Sequence, residues 1–185
     1  MKIVSSKTKY AEIAVPKLKE TFGYKNKFSI PAIKKVVVNV GIGKIGKEKD
    51  KINEIVEALR AITGQKPVMT KAKKSISGFK VREGSEVGIK VTLRGKRMWD
   101  FIDRLNNAVY PRTRDFQGIK RSSVSKEGDL NLGIKEHIVF PEISAEDARF
   151  IFGLQISVAT TATKKEEGDI LFNLLGFPLQ EKEAK

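Results

Sequence analysis

Apolar residues recur along this chain with two different periods, and the switches between them mark out its elements. Tyr10, Ile13, Ala14, Leu18 and Phe22 fall at helical spacing with Gly23 as a stop, and Pro16 is expected to kink or interrupt that helix. Ile33 to Val40 is β-rich and ends in glycines, which predicts a strand. Ile52, Ile55, Val56, Leu59 and Ile62 line one face of a second helix, closed by Gly64. Pro67 to Thr70 reads as a short strand, and Gly88 to Leu93 as an alternating one. Met98, Phe101, Ile102 and Leu105 then mark a helix. Tyr110 to Phe116 is expected to be a loop, because Pro111 disfavours helix before it. Leu130, Leu132 and Ile134 alternate, as do Leu154, Ile156 and Val158; between them Ser144 to Asp147 has the look of a capped helical turn. Thr163 and Glu166 form a capping-box pattern ahead of Ile170, Leu171, Leu174 and Leu175, with Gly176 as the stop.

Alternating strands imply an antiparallel sheet with one covered face, so the fold class is α+β, with helices packed on one face of the sheet. There is no repeat and no linker long enough to separate domains. Residues 1–185 are expected to form a single domain whose tail, extended from about 179, frays over Gln180 to Lys185.

Composition narrows the function. An apolar content of 40% over 185 residues supports a substantial core. No run approaches the ~20 apolar residues that span a bilayer, and the first residues lack a signal-peptide core, so no membrane partner is expected. Without cysteine there is no disulfide, thiol nucleophile or thiolate metal site, and a cytosolic location is the simplest fit. The net charge of +14 is uneven: residues 1–121 carry 29 basic and 11 acidic groups, residues 122–185 carry 7 and 11. Solubility alone does not require such concentration, which favours an anionic partner for one part of the molecule.

Between Gly64 and Arg97 stand ten Lys or Arg against two acids. The loop from Lys71 to Arg82 supplies Lys71, Lys73, Lys74, Lys80 and Arg82 as point charges, while Ser75, Ser77 and Gly78 permit close backbone approach to phosphates. Phe79 either stacks on a base or pins the loop to the core. In the following strand Ile89, Val91 and Leu93 point one way, and Lys90, Thr92 and Arg94 the other. An apolar back with a basic, hydrogen-bonding front suits a polyanion. Arg112, Thr113, Arg114, Asp115 and Phe116 form a second candidate contact, for phosphate or protein.

Catalytic readings find less support. Gly41-Ile42-Gly43-Lys44-Ile45-Gly46 has the spacing of a dinucleotide fingerprint, yet the next strand carries no ribose-binding acid, and a tight turn explains the glycines. The same stretch nearly makes a phosphate loop, but Glu48 follows Lys47 where a magnesium-binding hydroxyl belongs. His137, the only histidine, sits among Ile138, Val139 and Phe140 and is read as structural. No cofactor is expected.

Taken together, Gly64-Gln65-Lys66-Pro67-Val68, Lys71-Ala72-Lys73-Lys74-Ser75-Ile76, Arg82-Glu83-Gly84 and Lys90-Val91-Thr92-Leu93-Arg94-Gly95 resemble the L-five family of bacterial large-subunit ribosomal proteins. Pro111-Arg112, Arg114-Asp115-Phe116, Leu132-Gly133-Ile134-Lys135-Glu136, Phe140-Pro141-Glu142 and Thr160-Thr161-Ala162 continue the likeness, which runs from about Tyr10 to Pro178. The resemblance implies a non-enzymatic rRNA-binding protein of the cytoplasmic ribosome that holds 5S rRNA in the central protuberance, beside large-subunit rRNA and neighbouring large-subunit proteins. It implies 5S contacts at Asn39, Gln65 and Thr92, with Lys35, Lys66, Lys90 and Arg94 neutralising phosphates. The loop from Lys71 to Arg82 matches the family loop that reaches P-site tRNA. Arg112, Arg114, Asp115 and Phe116 match, less closely, a bridge to a head protein of the small subunit. The chain departs from the family between Ser122 and Leu130 and at Gln155, which bears on the bridge rather than on the RNA face. The other classes left open are a general nucleic-acid binder and a nucleotide-binding enzyme using the Gly41–Gly46 loop.

Overall fold

The computed structural model describes residues 4–43, 45, 48–79, 81–144, 146 and 148–180. Helices α1 (Ser6–Lys9) and α2 (Val15–Phe22) precede strand β1 (Ile33–Gly41), helix α3 (Lys49–Thr63) and strands β2 (Val68–Lys71) and β3 (Glu86–Leu93). Helices α4 (Gly95–Arg104) and α5 (Tyr110–Arg112), strands β4 (Leu130–Ile134) and β5 (Leu154–Thr160) and helix α6 (Lys165–Leu174) follow. The strands form one five-stranded antiparallel sheet in the order β2-β3-β1-β5-β4. The α+β expectation holds, and an antiparallel sheet leaves no place for a doubly wound dinucleotide fold. Ser144 to Asp147 includes residues outside those described, as does the tail beyond Gln180.

Both prolines that were expected to break helices are accommodated instead. A π-wound turn, Tyr10–Ala14, joins α1 to α2, and the N–H of Val15 donates to the carbonyl of Tyr10 five residues back. A second, Leu105–Val109, joins α4 to α5, where the N–H of Tyr110 donates to Leu105. In each case the donor is the residue just before a proline, Pro16 or Pro111. Proline lacks an N–H and crowds the carbonyl four residues behind it. Widening the preceding turn removes the crowding without ending the helix. Tyr110–Arg112 is therefore helical rather than loop.

The chain packs as two compact units, one of Met1–Val36, Leu93–Leu132 and Ser157–Lys185, the other of Val37–Thr92 and Gly133–Ile156. In the first, Ala14, Leu18, Phe101, Ile102, Leu105, Leu171 and Phe172 are buried. Asp103 of α4 accepts from the Ser5 hydroxyl at 2.8 Å and the Ser6 N–H at 2.7 Å, tying α1 down. The carboxylate that caps α6 is Glu167, not Glu166. It accepts from the Thr163 N–H at 2.9 Å, the Lys164 N–H at 3.4 Å and the Tyr24 hydroxyl at 2.7 Å. Burial pushes the Glu167 carboxyl up, but these donors outweigh it and hold the group below its ordinary value. Burial and the same Glu167 bond push the Tyr24 hydroxyl up to about 12. Gly168, the next residue of that helix, lies against the backbone of Gly128: a Cβ added to it would meet the Gly128 carbonyl oxygen at 2.5 Å.

In the second unit Val38, Val40, Ile89 and Val91 of the strands and Ile52, Ile55, Leu59 and Ile62 of α3 are buried. Gly64 ends α3 in the left-handed conformation, φ 65°, as the spacing predicted. His137 is 1% exposed, and its ring stacks on Phe152 at 4.0 Å. Burial lowers its pKa, against the opposing pull of Glu54 and of the Phe152 backbone. That environment fits a structural imidazole.

Candidate nucleic-acid interface

Alternation along β1 and β3 decides what the second unit presents. With Val38, Val40, Ile89 and Val91 buried, Val37, Asn39, Lys90 and Thr92 fall on the opposite side. Strand β2 pairs with β3 in a register that sets Val68 across from Lys90 and Thr70 across from Gly88. Residues directly opposite share a face, so Val68 and Thr70 join Lys90 and Thr92. Lys90 is exposed, and Val68 beside it is 59% exposed.

Gly88 makes a notch in this face. A Cβ there would lie 2.7 Å from Thr70 Oγ1, 3.3 Å from the Val40 carbonyl oxygen and 3.7 Å from Asn39 Oδ1. The side chains of Thr70 and Asn39 thus lean over the bare backbone of Gly88, and two hydrogen-bonding groups from different strands converge at one spot. Just before β2, Gln65 Nε2 donates to the Thr92 carbonyl at 3.2 Å, fixing the turn after α3 against β3. Thr63 reinforces that turn, its hydroxyl donating to the Leu59 carbonyl at 2.6 Å and accepting from the Gln65 N–H at 3.4 Å. Lys66, next in the chain, is exposed. The result is a rigid polar surface with ammonium groups at Lys66 and Lys90. Such an arrangement hydrogen-bonds bases and riboses while neutralising phosphates.

The basic run beyond Lys71 is ordered rather than slack. Ala72 and Ser85 close its neck, with Ala72 N–H to the Ser85 carbonyl at 2.8 Å. Ile76 and Val81 pair in both directions, and the Glu83 N–H donates to Ser75 Oγ at 2.9 Å. Ser77, Gly78 and Phe79 form a tight turn at the tip. Lys71, Lys73, Lys74, Ser75, Ser77, Gly78 and Arg82 are all exposed, and Phe79 is 78% exposed. That exposure decides the alternative left by the sequence: Phe79 does not pin the hairpin to the core. Lys80 lies outside the described residues. Glu83 and Glu86 are the acids of this hairpin and its stem, set near the neck rather than at the tip.

Two of the phosphate candidates fall in the other unit. Lys35 is half-buried on β1, and Arg94 is exposed at the N-terminus of α4. The structure gathers Asn39, Gln65, Lys66, Lys90 and Thr92 in one unit but not these two. Arg112, Arg114, Asp115 and Phe116 also belong to the first unit. Arg112, Arg114 and Asp115 are exposed, whereas Phe116 is half-buried and stacked on Tyr110 at 4.9 Å. Asp115 holds the turn open in the left-handed region, φ 51°, a conformation that Asp tolerates better than most residues. The Gly41–Gly46 stretch turns immediately after β1: Ile42 is buried, and its carbonyl accepts from the Ile45 N–H at 3.0 Å. Lys44, Gly46 and Lys47 lie outside the described residues. Glu48 is held by Lys51 at 2.7 Å.

Sequence reasoning passed over Thr70, Gly88 and Val68. A signal was present: Gly88 interrupts an otherwise regular alternation on its polar side, the mark of a close approach to backbone.

Comparison with known proteins bears on both halves of the chain. The family model described as "Ribosomal protein L5" matches residues 26–82, and the model of the C-terminus of the same ribosomal family matches residues 86–179. The "Large ribosomal subunit protein uL5" of Acaryochloris marina is 47% identical over 178 residues, 96% of this chain and 98% of that one. The protein of the same name from Halothermothrix orenii is 45% identical over 172 residues, 93% of this chain and 96% of its own. "Large ribosomal subunit protein uL5c" of Mesostigma viride is 47% identical over 178 residues, 96% of this chain and 97% of its own.

Proposed function

Given that the chain belongs to the ribosomal protein L5 family, a structural component of the large ribosomal subunit and not an enzyme, we propose that it binds 5S rRNA through the polar face of β1, β2 and β3. The observation that carries this reading is the convergence of Asn39 and Thr70 over Gly88, on the face that also holds Thr92 and Lys90. Rigid donors and acceptors on a sheet suit the irregular, splayed bases of a folded RNA better than a uniform duplex, whose edges lie deep in its groove. Lys35 and Arg94, from the other unit, add phosphate contacts.

The hairpin from Lys71 to Arg82 is assigned to the elbow of P-site tRNA. Its exposed cations and Phe79 at the tip make a sequence-blind electrostatic prop. Arg112, Arg114 and Asp115 are assigned to the bridge with a small-subunit head protein, with Phe116 acting through its stack on Tyr110 to hold their turn.

The test is lysine protection in the presence of 5S transcript. Acetylation of Lys66 and Lys90 is expected to fall several-fold on binding, while Lys17 and Lys19 stay reactive. Equal reactivity at Lys90 with and without RNA removes the sheet face from the interface.

A further inference from the structure

The most exposed large apolar side chain described stands ahead of β1 in the chain, outside the three strands of this surface. Phe28 is 94% exposed, more than Phe79 at the hairpin tip. It stands on a turn that the protein holds firmly. On one side the Tyr24 hydroxyl donates to Glu167 at 2.7 Å, and its ring packs on Phe22 at 5.9 Å. On the other, Ile30 is buried, and the Pro31 carbonyl accepts from the Tyr10 hydroxyl at 3.2 Å. Between these anchors the Asn26 side chain accepts from the Phe28 N–H at 3.0 Å, and the Ser29 N–H donates to the Asn26 carbonyl at 3.1 Å. The backbone that carries Phe28 is therefore fixed, and the ring is held out in solvent.

Its surroundings are cationic. Lys25 and Lys27 precede it on the same turn and are exposed. From Thr21 to Lys47 the chain carries six lysines and no acid. An aromatic anchor for a protein partner is usually set in a surface depleted of lysine. A ring beside lysines on a stiff turn is instead the arrangement that stacks on a base and neutralises the phosphates beside it. We propose that the Lys25–Phe28 turn is a second rRNA-binding element, with Phe28 stacked on an unpaired base and Lys25 and Lys27 on the adjoining phosphates.

This element lies in the first unit and stands independently of the sheet face. Full-length protein with a photoreactive benzoylphenylalanine at position 28, assembled into large subunits, tests it. Cross-linking to an unpaired rRNA nucleotide is expected. Cross-linking to a ribosomal protein, or to nothing, overturns the proposal. The second measurement is affinity for full-length large-subunit rRNA transcripts. Phe28→Ala should weaken binding by between about five- and a hundredfold, the range of one base stack. Phe28→Trp should hold it near the wild-type value. Because the Phe28 ring stands almost wholly in solvent, Phe28→Ala should melt with the wild type, so a binding loss is not an unfolding artefact. Equal affinity for Phe28→Ala and Phe28→Trp contradicts stacking, whatever becomes of Thr92 and its neighbours.

Discussion

Gln65 and Thr92 are joined across 27 residues of sequence by a single bond, the Gln65 side-chain amide donating to the Thr92 carbonyl at 3.2 Å. The bond fixes where Gln65 and Lys66 stand relative to β3, and so sets the spacing of the proposed 5S contacts. Gln65→Glu cannot donate there, and it places a charge where phosphates should approach. A hydrogen bond of this kind is worth about 1 kcal/mol, and the added repulsion comes on top. The 5S affinity of Gln65→Glu should therefore fall at least roughly tenfold. Titration of labelled 5S transcript measures it; wild-type affinity would show that Gln65 does not shape the interface.

On the proposed reading the hairpin and the sheet face divide the work. Neutralising Lys73, Lys74 and Arg82 together should leave 5S affinity nearly unchanged while reducing retention of P-site tRNA on assembled ribosomes. Parallel losses in both assays would dissolve the division.

Gly168 tests the packing of the first unit. An added methyl would meet the Gly128 carbonyl oxygen at 2.5 Å and the Gly128 Cα at 2.7 Å, both backbone atoms. Neither can swing away as a side chain could, so Gly168→Ala should destabilise by about 3 kcal/mol, at the upper end of overpacking costs. Urea denaturation reads the shift in midpoint.

Acid should destabilise the protein in two steps. His137 and Glu167 both have lowered values in the folded state, so the unfolded chain takes up each proton first and stability falls as pH drops. The histidine step begins as pH falls through its ordinary 6.5, and the carboxylate step below its ordinary 4.5. His137→Phe, which keeps the stack on Phe152, should flatten the upper step. Glu167→Gln should flatten the lower one. Melting temperatures from pH 8 to pH 3 distinguish the two.

Periodicity made the sheet and the longer helices legible. Val36, Val38 and Val40, Ile89 and Val91, and Leu154, Ile156 and Val158 are all buried as their alternation required. What escaped depends on information that alternation does not carry. Pro16 and Pro111 read as breakers because the π-wound turn that relieves each is a backbone adjustment with no side-chain signature. The cap of α6 moved from Glu166 to Glu167 because the helix starts one residue later than the pattern indicated. Thr70 and Gly88 became neighbours only through the register of β2 on β3. Whether Phe79 faced the core or solvent was likewise a tertiary question, as was the standing of Phe28. The basic surplus of the first 121 residues was visible in composition; its distribution over two units was not.

The most direct measurement is the affinity of the intact protein for 5S transcript, against an excess of unrelated RNA and at rising salt, for the wild type and for Asn39→Ala with Thr92→Ala. With about five phosphates engaged, the log–log salt slope should be roughly −4. The double variant should lose at least about tenfold in affinity with the slope retained, since neither residue is charged. A slope near zero, effective competition by unrelated RNA, or undiminished binding by the double variant would contradict 5S recognition through this face.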